Sequence, residues 1–235
     1  MKFSYVIIAT ISIPAVAYFL SCFSLKKTIK NIKERKNKRK AENVKESNVC
    51  LSKIEKGSLG EKIIAKKLTM LDPKEYKVIN NFLLLFKNGT SVQIDHLVIS
   101  RSGIFVIETK NFSGAVDKLN DDWWVQTTDR NKSYKFYSPV KQNFGHIKTL
   151  ENIFNNDSKD LFHSIVVFPD TTHIETADRR VTHFSNIICE IEKFDKHILN
   201  YNKMNELYET LRTYNMNNDS NQQKHIDRLS ASGIC

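Results

Sequence analysis

An aspartate, and a Glu-x-Lys thirteen residues later, stand in two adjacent apolar segments, Gln93–Ile99 and Ile104–Lys110. Both segments are rich in β-branched and aromatic residues, and Arg101-Ser102-Gly103 supplies a turn between them, so they read as neighbouring β-strands. Side chains two apart in a strand share a face. Glu108 and Lys110 therefore point the same way, and Asp95 reaches their side from the next strand. Two carboxylates and an ammonium at the edge of an apolar sheet are costly to bury. The cost has a purpose if a hard divalent cation, Mg²⁺ or Mn²⁺, joins the carboxylates through oxygen and the lysine faces an anionic substrate. The chemistry such a set implies is metal-assisted phosphodiester hydrolysis.

The roles divide by residue type. Asp95 and Glu108 hold the metal, with the Thr109 carbonyl as a third oxygen. Lys110 positions or deprotonates the attacking water, or stabilises the charge on the pentacovalent phosphate. Glu61, on the first helix, holds a metal-bound water, and Gln142 converges from the helix that follows Pro139. Blander readings stand beside these. Ser58 and Glu61 have the spacing of a helix-capping pair. His96 is read as a strand-end hydrogen-bonding residue, and His146, one turn after Gln142, has no assigned role. One of the adjacent Trp123 and Trp124 must face the core.

The elements that position these residues follow from periodicity and turn chemistry. A helix begins near Gly57 and stops at Asp72-Pro73. Tyr76–Phe86 reads as a strand, and Lys87-Asn88-Gly89-Thr90 as a hairpin turn into the two strands above. Gly114–Val116 and Trp123–Thr127 are short strands. Ser138-Pro139 opens a helix to about Phe154. Ser164–Phe168 and Asn186–Ile191 are apolar runs read as strands, and Phe194–Tyr214 as an amphipathic helix. Residues 215–223 read as mobile, with one short helix in the tail. The class is α+β with a mixed sheet flanked by helices, because the last core strands follow a helical crossover.

Residues 3–23 carry no charge and are about long enough to cross a bilayer as one transmembrane helix. Nine Lys and Arg follow between Lys26 and Lys40, against the single acid Glu34. That asymmetry keeps the C-terminal side in the cytoplasm and opposes the reading of a cleaved signal peptide. It also splits the net charge of +10: residues 41–235 hold 26 basic and 25 acidic side chains. The basicity is thus juxtamembrane, suited to anionic lipid headgroups through residues 26–40. The expected organisation is an anchor over 1–25, a basic segment and linker over 26–56, a core over 57–155, completing strands and helix over 156–214, and a polar tail over 215–235. Cys22, Cys50, Cys189 and Cys235 show no paired spacing, which argues against a zinc site or a disulfide framework.

Taken together, Gly60-Glu61, Gln93-Ile94-Asp95-His96, Gly103 through Asn111, Gly114, Trp124 and Pro139-x-x-Gln142 resemble, in order, the nuclease-related domain called NERD. That domain is similar to the PD-(D/E)xK nuclease superfamily, whose fold is restriction-endonuclease-like. The resemblance covers about residues 57–155. It implies catalytic roles for Asp95, Glu108 and Lys110, with Glu61 and Gln142 in support, and nucleic acid, DNA first, as the partner. Ser138 departs from the asparagine frequent before the proline, which leaves the helix start intact. The competing function is a module that grips nucleic acid or a partner on the same fold without cutting.

The apolar run and its basic flank predict a protein that stays with the membrane fraction through a high-salt wash. A C-terminal reporter should be active only in the cytoplasm. Activity outside it, or a mature N-terminus at Tyr18, would overturn this topology.

Overall fold

A computed structural model describes residues 55–154 and 160–231. The apolar run and the basic flank lie outside them. Among the described residues no helix is long and apolar enough to cross a membrane.

The chain is helical over residues 55–68 (α1). Strands β1 (Tyr76–Leu85), β2 (Ser91–Ser100) and β3 (Gly103–Thr109) follow. Next come the short strands β4 (Ala115–Lys118), β5 (Trp123–Thr127) and β6 (Ser133–Tyr137), then helix α2 (Pro139–Ile153). β7 (Phe162–Phe168), β8 (His173–Ile174) and β9 (Val181–His183) precede the short α3 (Ile187–Glu192), α4 (Tyr201–Tyr214) and α5 (Asp219–Ala231).

β1, β2 and β3 form an antiparallel meander, and β7 then β9 extend the same sheet in parallel, giving the order β1-β2-β3-β7-β9. The mixed sheet expected from the crossover is present because α2 carries the chain back to start β7 beside β3. All seven residues of β3 are buried. Its side chains sort by alternation. Ile104 and Val106 join a core layer with Ile147 and Leu150 of α2 and Met204, Leu207 and Leu211 of α4. Phe105 and Ile107 join the opposite layer with Ile64 and Leu68 of α1 and Ile187 and Ile191 of α3. The result is an α+β arrangement of mixed sheets flanked by helices, which fits a nuclease-like core.

A second sheet, ordered β6-β5-β4-β8, packs its Trp124 against Val140 of α2 and Phe168 of β7. Trp124 is buried and Trp123 exposed, as an adjacent pair on a strand requires. The partner strand β6 was not anticipated. Its turn is built on Asn131 at φ 54°, with Thr128 and Lys132 closing it, and carries no Asn-Gly signal.

Three expectations are corrected. Asn186–Ile191 is not a strand but a 3-10 turn running into α3. Its buried members Ile187 and Ile191 are four apart, a helical spacing that a short apolar run disguises. Phe194–Tyr214 is helical only from Tyr201, because the Asn200 side chain accepts from Lys203 N at 2.8 Å and caps the helix. Residues 215–223, read as a loop without structure, instead meet the sheet at Asn215 and Met216 and then enter a helix. Met216 N donates to Leu83 O at 2.9 Å, Asn215 Oδ1 accepts from Leu83 N at 3.0 Å, and α5 begins at Asp219. That segment occupies free backbone groups of the edge strand β1, which tail composition alone does not reveal.

Asn143 ties α2 to the sheet. It is fully buried, and its Nδ2 donates to Val106 O at 2.7 Å and Ser164 Oγ at 2.9 Å. Asn143→Ala should lower unfolding free energy by roughly 1–3 kcal/mol, read from urea titration at unchanged slope. An unaltered midpoint would show that apolar packing alone holds the helix.

Candidate active site

The meander brings Asp95 and Glu108 together. His96 stands opposite Ile107, so one step along the register sets Asp95 against Glu108. Thr109 N donates to Asp95 Oδ2 at 2.7 Å, which fixes one oxygen of that carboxylate. Glu108 continues the face of Ile104 and Val106 and is 3 % exposed. Lys110 returns on the same face two residues later, and its Nζ lies 2.7 Å from Glu108 Oε1 and 3.0 Å from Gln142 Oε1. Gln142 gets there because Ser138 and Pro139 start α2. The Ser138 hydroxyl accepts from Lys141 N at 3.3 Å, and Pro139 occupies the first turn without needing a donor.

Glu61 comes from the opposite side of the sheet. Residue 55 is already helical, so Ser58 and Glu61 lie inside α1 and the capping-pair reading is set aside. Gly60 explains the close approach: a Cβ there would meet Asn111 Cβ at 2.8 Å and Thr109 Cγ2 at 3.3 Å. Without a side chain, the helix rests directly on the end of β3, and Asn111 Nδ2 fastens it to Lys56 O at 2.7 Å. Gly103 plays the corresponding part at the other end of β3. Its φ is 126°, and a Cβ would strike Leu161 O at 2.5 Å, the same oxygen that accepts from Ile104 N.

The electrostatics are those of crowded carboxylates. Burial, then the charges of Glu108 and Glu61, push Asp95 well above the ordinary aspartate range, despite the Thr109 amide and Lys110. Burial and Glu108 push Glu61 up as well. Burial works the same way on Glu108, but Lys110 and His146 outweigh it and hold that carboxyl below its usual value. Lys110 is raised: burial opposes its charge, and Glu108, Asp95 and Glu61 more than offset it. Three carboxylates against one ammonium leave a site that a cation would relieve.

The residues suit a divalent ion of the Mg²⁺ type. Glu108 Oε2 and Thr109 Oγ1 are buried without a hydrogen-bond partner. Among the described residues no three His, Cys, Asp or Glu side chains converge as a ready-made cage. Mg²⁺ needs none, since it usually keeps several waters and takes one or two carboxylates together with substrate phosphate. Asp95 and Glu108 offer two carboxylates of the kind such an ion could use.

Five residues singled out in the sequence, Glu61, Asp95, Glu108, Lys110 and Gln142, therefore meet at one end of the central sheet. His96 stays out of the cluster as a structural group. Its Nδ1 pairs with Asn80 Oδ1 at 2.7 Å, and burial lowers its pKa to about 4, so the ring is neutral. His146 is the residue that sequence reasoning passed over. It is buried, and its Nε2 is 3.3 Å from Glu108 Oε2. Its position four residues after Gln142 was the available signal.

The family model of the nuclease-related domain matches residues 56–169, from the start of α1 to the end of β7. The chain is also similar to an uncharacterized protein of Bacillus anthracis, 30 % identical over 179 residues, a stretch covering 74 % of this chain and 84 % of that one. This chain belongs to the nuclease-related domain family. The matched stretch of the NERD domain contains all five clustered residues and His146. No solved structure matches the chain.

The crowding makes a pH prediction. A carboxyl raised in the fold costs stability once ionised. The penalty is absent below its unfolded value, near pH 4, and grows as pH rises toward the folded value. Asp95→Asn should therefore melt higher than the parent in EDTA at pH 7–8, and the gain should vanish as pH falls to about 4. A lower melting temperature at neutral pH would contradict the repulsion inferred for Asp95.

Proposed function

We propose that this NERD chain is a membrane-anchored, cytoplasm-facing nuclease that hydrolyses phosphodiester bonds, with DNA as substrate and Mg²⁺ or Mn²⁺ as cofactor. The observation that carries the reading is the Lys110–Glu108 contact at 2.7 Å at the end of the sheet, with Asp95 held beside it by the Thr109 amide, in a chain of the nuclease-related domain family. The membrane placement rests on the apolar run 3–23 and the basic flank 26–40.

Asp95 and Glu108 would hold the cation, with the Thr109 carbonyl as a further oxygen. A divalent ion bound there supplies polarisation of a phosphate oxygen and a more acidic water. Lys110, kept protonated by the surrounding carboxylates, is a poor base in this setting. Its part is to face the phosphate and offset the charge that develops on it. Gln142 Oε1 accepts from the lysine and fixes the ammonium's direction. Glu61, half-buried at the α1 side, accepts from water and orients it.

Cleavage of linear, circular and single-stranded DNA by the full chain, with Mg²⁺, Mn²⁺ or EDTA, tests the reading. Activity should need the metal. Lys110→Ala should lose about 10²–10³-fold while still binding metal. Asp95→Asn should lose both cleavage and the Mg²⁺-induced rise in melting temperature. Glu61→Gln should be milder, about 10–100-fold. Folded Asp95→Asn and Lys110→Ala proteins that cut at the parental rate would remove these residues from the reaction. A parent that binds DNA in a salt-sensitive way without cutting would favour the binding module instead.

A further inference from the structure

The scheme above leaves one buried polar group at the site without a task. His146 is 8 % exposed, and its Nε2 completes no hydrogen bond. It lies 3.3 Å from Glu108 Oε2, which is equally buried and unpartnered. A buried polar atom left unpaired costs roughly 1–3 kcal/mol, and more when charged. Side by side, these two atoms can satisfy each other, since a neutral imidazole has one N–H to give and a carboxylate oxygen has two lone pairs. The other oxygen of Glu108 is already taken by Lys110 Nζ at 2.7 Å.

Helix α2 arranges this. Gln142 and His146 are four residues apart and share a face. Gln142 Oε1 accepts from Lys110 Nζ at 3.0 Å, and His146 faces Glu108. One helical face thus addresses both charged members of the Glu-x-Lys sequence. The helix has little freedom to drift. Asn143 is bonded to the backbone of β3 and β7 between these two residues, and Ile147 and Leu150 are packed in the core layer behind them.

We propose that His146 is a positioning residue whose Nε2–H donates to Glu108 Oε2 and sets the plane of that carboxylate for a divalent cation. The proposal rests on the reading of Glu108 as a metal ligand. Carboxylates that hold metals are themselves commonly held by hydrogen bonds, and removing the donor weakens the site. Such contacts are often long before the ligand arrives and tighten afterwards. Oε2 keeps a lone pair for the ion while it accepts from the ring.

The test measures metal binding, not cleavage. Mn²⁺ is titrated calorimetrically into the full chain without DNA, for the parent and for His146→Ala, His146→Met and His146→Gln. Alanine and methionine both remove the donor, the second without opening a cavity, so one folded variant of the two suffices. Either should bind Mn²⁺ about 10–100-fold more weakly. Glutamine, which offers an uncharged N–H at similar reach, should restore most of the affinity. Undiminished affinity without the donor overturns the proposal, and so does a glutamine variant as weak as alanine. If the parent itself binds no Mn²⁺, the metal reading fails separately. The melting temperature in EDTA then decides the hydrogen bond: lowered by methionine and restored by glutamine supports it, and equal values for the two refute it.

Discussion

Everything at this site answers to one electrostatic constraint: Glu108 is a carboxylate with almost no water, held at the end of an apolar strand. A lone charge in that position would be neutralised or expelled. It persists because Lys110, two residues on, returns to the same face and lies 2.7 Å away. The pair is not balanced, however, since Asp95 and Glu61 add two further negative groups. These charges by themselves therefore carry repulsion that packing elsewhere must offset.

The sheet makes that offset available. β3 is antiparallel to β2 on one side and parallel to β7 on the other, and it is buried along its whole length. Its alternating side chains anchor both core layers before the strand reaches Glu108. Helices come to the same strand end from the two faces. α1 arrives with its backbone at Gly60 close to the Thr109 and Asn111 side chains, and α2 through Asn143. A rigid strand end with a helix on each side is a precise place to hold charged groups. The same features that pack the domain also direct Glu61 from one face and Gln142 and His146 from the other.

The order of secondary-structure elements serves this purpose too. The meander supplies Asp95 and the Glu-x-Lys with only local connections, and the α2 crossover supplies the residues that grip them. The small sheet β6-β5-β4-β8 buttresses the N-terminal part of α2 through Trp124 and Val140. The chain after α4 lies along the outer edge of β1. These outlying parts contribute no charged group to the cluster.

Much of this was legible in the amino-acid order. Period-two alternation and the Arg101-Ser102-Gly103 turn placed Glu108 and Lys110 on one face and Asp95 beside them. Ser138-Pro139 announced the helix that carries Gln142. These are local signals, set by backbone geometry and turn chemistry within a few residues. What lay beyond the sequence was every feature that depends on approach between distant segments. Glu61 was read as a site residue with a capping role as the alternative, and only the helical residues before it set the cap aside. His146 looked idle until α2 was laid against β3. The run Asn186–Ile191 was ambiguous in period and became a helix because Ile187 and Ile191 pack on one layer. The tail was polar in composition yet docks on β1 at Leu83, through the Met216 amide and the Asn215 side chain, a pairing between segments more than a hundred residues apart that tail composition does not reveal. Local sequence determines what each segment can be and which way its side chains point. Only the tertiary structure decides which of those side chains share a buried, low-dielectric space, and that decides their charge and their use.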